Sequence, residues 1–181
     1  MSAEELIIAI ARIAGSLLVL RWALVGGVVA VLVDLSDLFM KNLLELGGVS
    51  NYQAFDKWLD QVYLLAFLVV ALRWKGPART VAILLYAWRM AGFFAFEATG
   101  DREILLLFPN VFEFWFLFVA AVAHLKPQFA FTNRNIGITL GVLTALKEFQ
   151  EFALHQARWL DSFTAVEAVE AVADWLSGPF W

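Results

Sequence analysis

Residues Leu6–Val33 read LIIAIARIAGSLLVLRWALVGGVVAVLV, an apolar run broken only by Arg12 and Arg21. A bilayer core takes about 20 apolar residues in helical form, so this run predicts a first membrane span over 6–33 with length to spare. Gly15 and the Gly26-Gly27 pair are points for a kink or for close approach of a neighbour. Further apolar runs follow and predict spans at about 55–73, 79–97, 104–125 and 136–159. Hydrophobic residues make up 62% of the 181 and charged residues only 17%. Mean hydropathy is +0.74. A water-soluble domain of this length has too little interior to hide so much apolar surface. The expected fold is therefore all-α: a polytopic integral membrane helical bundle of about five transmembrane helices, forming one domain over 1–181.

Local signals set the joints. Ser50–Gln53 reads as a capping box opening the second span. Lys75-Gly-Pro77 ends it, Ala98–Arg102 forms a tight turn, and Pro109 lies near the entry of the fourth span. Over 162–176 the apolar residues Phe163, Val166, Val169, Val172 and Leu176 share one helical face, opposite Glu167, Glu170 and Asp174. That pattern predicts an amphipathic helix lying in the membrane interface.

The chain has no cysteine, which excludes disulfides, thiolate metal sites and cysteine catalysis. A net charge of −4 without a basic run excludes nucleic acid as a partner and leaves membrane lipid; a homo-oligomeric state stays open. Met1–Glu5 lacks a basic n-region, so no cleavable signal is expected and the first span serves for insertion. Arg12, Arg73, Lys75, Arg79, Lys126 and Arg134 are assigned to one side of the membrane. Lys41, Lys57, Arg102 and Arg158, diluted by acids, are assigned to the other. The positive-inside rule then predicts a multi-pass cell-membrane protein with a cytoplasmic N-terminus.

Ionisable residues at membrane depth are costly and mark function by default. Counting about 1.5 Å per residue from the basic ends puts Arg21, Arg89 and Glu113 at one level, which predicts a buried ion pair between Glu113 and Arg89 or Arg21. Nearer the opposite face lie Asp34, Asp37, Asp56, Asp60, Glu97, Glu148 and Glu151, with His155 and Asn110. Asp56 and Asp60 are four apart, and Glu148, Glu151 and His155 form one stripe, so each helix offers a coherent polar face. Carboxylates with one imidazole suit a hard divalent cation such as Mg²⁺, Ca²⁺ or Mn²⁺. With only His124 and His155 present, histidine-rich metal sites are excluded. The predicted roles are metal ligation by the seven acids, catalysis by Asp60 and His155, and substrate contacts from Asn110 and Arg102.

The spacing Asp34-x-x-Asp37 followed by Asp56-x-x-x-Asp60 resembles the four-aspartate pattern of the CDP-alcohol phosphotransferases. The likeness covers about 27 residues. It implies acids that bind divalent metal and activate an alcohol for attack on a CDP-linked lipid. Leu38, Lys41-Asn42 and Tyr52 stand where that family has glycine, Ala-Arg and glycine. Three function classes follow: a metal-dependent enzyme on a lipid or isoprenoid substrate, which includes a diverged member of that family; a cation, proton or small-solute transporter; and a non-catalytic membrane accessory subunit.

Overall fold

The computed structural model describes residues 3–43, 52–101, 103–152 and 174. These are helical throughout, joined by short turns. The order is α1 (Ala3–Leu17), a 3-10 turn (Leu18–Leu20), α2 (Ala23–Leu43), α3 (Tyr52–Ala71), α4 (Pro77–Thr99), α5 (Glu103–Leu107), α6 (Val111–Leu125) and α7 (Asn133–Glu151). The all-α expectation holds. Among the described residues, one helix, α4, is both long and apolar enough to cross a membrane; the runs Ala9–Leu20, Ala23–Asp34, Trp58–Ala71 and Val111–Leu125 are apolar but shorter. The expected interfacial helix over 162–176 and the end of the fifth span lie outside the described residues, Asp174 excepted.

The run 6–33 is not one helix. It reverses at residues 18–22, where the 3-10 turn ends on Arg21 with its N–H bonded to the Leu18 carbonyl. α1 and α2 then lie antiparallel: Gly15 faces Val33 and Gly26 meets the backbone of Leu18 and Val19. The reason is steric. A Cβ on Gly26 would sit 2.5 Å from the Leu18 carbonyl carbon and 2.6 Å from its oxygen, so only glycine lets the backbones close to this distance. Gly27 performs a similar service against Phe116 and Leu117 of α6. Arg73, at the end of α3, donates to the Leu20 carbonyl at 3.4 Å and places a cation at the end of the first helical segment.

The remaining joints are chemically ordinary. Gly76 (φ 64°) precedes Pro77, which occupies the first turn of α4 where its missing N–H costs nothing. Gly100 (φ 71°) ends α4 in the left-handed conformation, with its N–H on the Phe96 carbonyl. The Thr132 hydroxyl accepts from the Asn135 N–H and caps α7. The predicted span 104–125 is also broken, at Phe108-Pro109-Asn110, because Pro109 cannot donate to the helical ladder. Gly92 of α4 gives way to the Phe108 side chain at that break.

Contacts fix the directions. Along α6, Phe108, Phe112 and Trp115 meet Gly92, Tyr86 and Ala78 in turn, so α6 runs antiparallel to α4. Arg12 meets Asp60 and Leu20 meets Arg73, so α1 runs parallel to α3. The three connections 18–22, 72–76 and 126–132 therefore share one end of the bundle. The start of α1 lies at the other end, with the end of α4. Between the ends sits an aromatic layer. Phe67, Phe112, Trp115 and Phe116 are fully buried, Phe67 stacks on Phe116 at 4.1 Å, and Trp74 stacks on Phe116 at 5.3 Å.

If the hairpin depends on close backbone approach at Gly26, Gly26→Ala lowers detergent-solubilised stability by about 1–3 kcal/mol, the usual cost of overpacking. Gly141→Ala, in α7 with nothing within 4 Å of the new Cβ, gains up to about 1 kcal/mol from helix propensity. Thermal melting of the two variants beside the parent protein checks both signs.

Candidate functional site: a buried two-sign polar array

Two clusters of polar side chains occupy the interior. In the first, Arg12 of α1 is 3% exposed. Its guanidinium donates to Asp34 of α2 and, at 2.5 Å, to Asp60 of α3. The Ser16 hydroxyl donates to the Arg12 carbonyl at 2.6 Å, one turn along α1. Both bonds leave one guanidinium nitrogen, so a single cation ties three helices together. Arg12 had been expected at the basic side of the first span. The hairpin moves it, because a reversal at 18–22 swings residue 12 back to the level of Asp34.

The second cluster forms where the α5–α6 break meets α3 and α7. Glu113 is 5% exposed and Asn110 4%. Tyr63 donates its hydroxyl to Glu113 Oε2 at 3.2 Å. The Asn110 amide nitrogen donates to the same oxygen at 3.0 Å and to the Tyr63 oxygen at 3.1 Å, closing a triangle. Lys147 Nζ stands 4.0 Å from Glu113 Oε2 and 3.1 Å from Glu151 Oε1. It also donates to Gln150 at 2.9 Å and lies 5.7 Å from the Phe114 ring centre. Asn110 Oδ1 is buried and has no hydrogen-bond partner among the described residues. An unsatisfied buried acceptor is uncommon and needs an explanation. Asp60 and Tyr63 are one turn apart on α3, so a single helix connects the two clusters.

The predicted pairing of Glu113 with Arg89 or Arg21 is corrected. Arg21 is exposed in the α1–α2 turn. Arg89 donates to the Phe108 carbonyl at 3.1 Å, an acceptor released by the break at Pro109. Lys147 of α7 stands beside Glu113 instead. The structure brings two of the predicted carboxylates, Asp34 and Asp60, together and sets other described ones apart. Asp34 and Asp60 share Arg12, Glu151 pairs with Lys147, and Glu97 and Glu148 are exposed. The side chains of Asp37 and Asp56, and all of Arg102 and His155, lie outside the described residues. Among the described residues, no three carboxylates or imidazoles come together as a metal site would require.

Lys147 and Arg12 are the residues that sequence reasoning missed in this role. Lys147 had a signal: a lysine at i−4 from Glu151 within an apolar run. Arg12 had one too, since 28 residues between Leu6 and Val33 amount to about 42 Å of helix, well over a bilayer core.

Comparison with protein-family models, with curated proteins and with solved structures finds no match to this chain.

Removing one partner of a buried ion pair leaves uncompensated charge and typically costs about 3–5 kcal/mol. Arg12→Leu is expected to fall in that range by denaturant unfolding in detergent. Adding Asp34→Asn and Asp60→Asn to Arg12→Leu recovers part of the loss. No recovery in the triple variant argues against charge imbalance as the cause.

Proposed function

We infer that this chain is a multi-pass helical membrane protein of the transport class, in which the Glu113–Lys147 array binds and passes protons. One observation carries the reading: a largely apolar exterior surrounds an apolar core in which a few charged and polar side chains are buried. Arg12, Asn110, Glu113 and Lys147 are buried, while Val25, Leu84, Phe94 and Leu107 are 63%, 64%, 64% and 70% exposed. In water such an apolar exterior would drive aggregation, whereas acyl chains solvate it. α4, apolar and 23 residues long, spans about 35 Å, enough to cross a bilayer core.

Buried ionisable groups inside such a bundle are functional by default. The array sets cations beside carboxylates, Arg12 against Asp34 and Asp60 and Lys147 between Glu113 and Glu151. An excess negative charge in an apolar interior is costly, and a proton bound to a carboxylate neutralises it. Glu113 is the natural carrier. It accepts from Tyr63 and Asn110 without a full ion pair, since Lys147 stands closer to Glu151. When Glu113 takes up a proton, Lys147 is held by Glu151. When the proton leaves, Lys147 moves toward Glu113 and keeps the charge balanced. The broken α5–α6 segment supports this reading, because non-helical backbone at membrane depth lines sites of ion and solute passage. The aromatic layer around Phe116 forms the barrier toward the end that holds the connections.

The metal-dependent lipid enzyme and the aspartate-based phosphotransferase both need Asp60 as a free ligand or base. Arg12 already stands where a cation would neutralise Asp34 and Asp60, which favours the transport reading over either.

The test is proton flux in liposomes with a pH-sensitive dye inside. Reconstituted parent protein dissipates an imposed pH gradient faster than protein-free liposomes. Glu113→Gln loses at least tenfold of that rate, while the exposed variant Glu148→Gln keeps it. Flux equal to protein-free liposomes, or flux unchanged in Glu113→Gln, overturns the reading.

A further inference from the structure

Along the described helices the charges are segregated, with basic residues gathered at one end. The stretches 6–33, 61–96 and 114–147 contain no aspartate or glutamate. They include the three connections that meet at one end, where Arg21, Arg73, Lys75, Arg79, Lys126 and Arg134 are all exposed. His124 is exposed beside them. Asp34, Asp60, Glu113 and Glu151 belong to the interior array, and Glu97, Asp101 and Glu148 are exposed toward the opposite end. Six exposed cations on connections that carry no acid of their own create a positive face among the described residues.

That face also has apolar and aromatic groups at its edge. Trp22 is more than half exposed and Leu125 nearly three-quarters exposed. The α6–α7 connection forms a groove of about 460 Å³ lined by Leu125, Lys126, Pro127, Gln128 and Phe129. The groove has a firm base. Phe129 donates its N–H to the Lys126 carbonyl at 2.9 Å, Phe129 packs on Phe118, and Phe131 packs on Trp115. Asn135 ties the far side of the connection by donating to the Ala130 carbonyl at 2.9 Å. A cation beside an apolar wall, within a basic face, has the chemistry of a seat for an anionic phospholipid headgroup with the start of its acyl chain.

We propose that this end faces the cytoplasm and seats anionic phospholipid headgroups of the inner leaflet, with Lys126 in the α6–α7 groove and Arg134 beside it as the principal contacts. The proposal rests on the membrane reading, though not on proton transfer. It also revises the orientation expected from sequence: because α1 and α2 form a hairpin, α1 begins on the side away from the basic face, outside the cytoplasm. The inner leaflet carries the negative surface potential that such a face complements, and the positive-inside rule selects the same orientation.

The absence of native cysteine allows a direct test. Single variants Gln128→Cys and Ala98→Cys are treated with a membrane-impermeant maleimide on intact cells and on inverted vesicles. Position 98 labels on intact cells and position 128 only on inverted vesicles. In parallel, purified parent protein in neutral detergent is melted with phosphatidylglycerol, with phosphatidylcholine or with inorganic phosphate. Phosphatidylglycerol raises Tm above both others, and the double variant Lys126→Gln/Arg134→Gln loses most of that difference while keeping its Tm in phosphatidylcholine. Labelling of position 128 on intact cells, an equal shift with phosphatidylcholine or inorganic phosphate, or a full shift in the double variant overturns the proposal. Release of the protein from membranes by alkaline carbonate overturns the membrane reading itself. Retention in carbonate with any of the contrary results overturns the lipid proposal alone.

Discussion

A single guanidinium organises the first half of this protein. Arg12 reaches Asp34 and Asp60 from a third helix, and none of these groups can be buried without the others. Charges in an apolar interior are tolerated only when paired and hydrogen-bonded, so the cluster admits one relative arrangement of α1, α2 and α3. A shift by one helical position would separate the partners and leave at least one bare charge. Apolar packing alone has no such selectivity, because Leu and Val faces tolerate sliding. The hairpin that brings Arg12 to Asp34 depends in turn on Gly26, where the chain folds back with backbone against backbone. Electrostatics and the absence of a side chain thus act together at opposite ends of the same hairpin.

The second cluster extends the same logic into α6 and α7, with one difference. Arg12 binds two carboxylates at short range, whereas Lys147 stands unequally between Glu113 and Glu151, and Asn110 retains an acceptor without a partner among the described residues. The first cluster is built to hold still; the second has slack. That contrast directs the functional reading to Glu113 rather than to Asp60. Proline and glycine set the scene, since Pro109 breaks the helix, Gly92 accommodates Phe108, and the released Phe108 carbonyl is taken by Arg89. The aromatic layer of Phe67, Phe112, Trp115 and Phe116 separates this slack region from the basic end.

Helical class, joint positions and the presence of costly charges in apolar runs were legible from residues alone, because they follow from local composition and from turn chemistry. α4 at Pro77–Thr99 corresponds to the span expected at 79–97, with a proline entry and a glycine exit. Partner choice was not legible. Counting rise from Arg12 to Arg21 assumes that residues 6–33 are straight, and the reversal at 18–22 invalidates the depth measured from that anchor. The excess length of that run was the available warning. Glu113 was matched to the cations of α4 and the first apolar run, while Lys147 stood unnoticed next to Glu148 in a sequence position that looks like an ordinary charged helix end.

The sequence by itself determined that the chain is helical, where most helices stop, that one set of connections is basic and acid-free, and that ionisable side chains interrupt apolar stretches. These are properties of neighbouring residues, and short-range sterics and hydropathy are enough to set them. Only the tertiary structure decided which charges meet, that 6–33 folds back on itself, and on which end α1 begins. Those outcomes depend on polar contacts between residues 22 to 50 positions apart and on the missing Cβ at Gly26 against Leu18, which together outweigh any local preference for a straight helix.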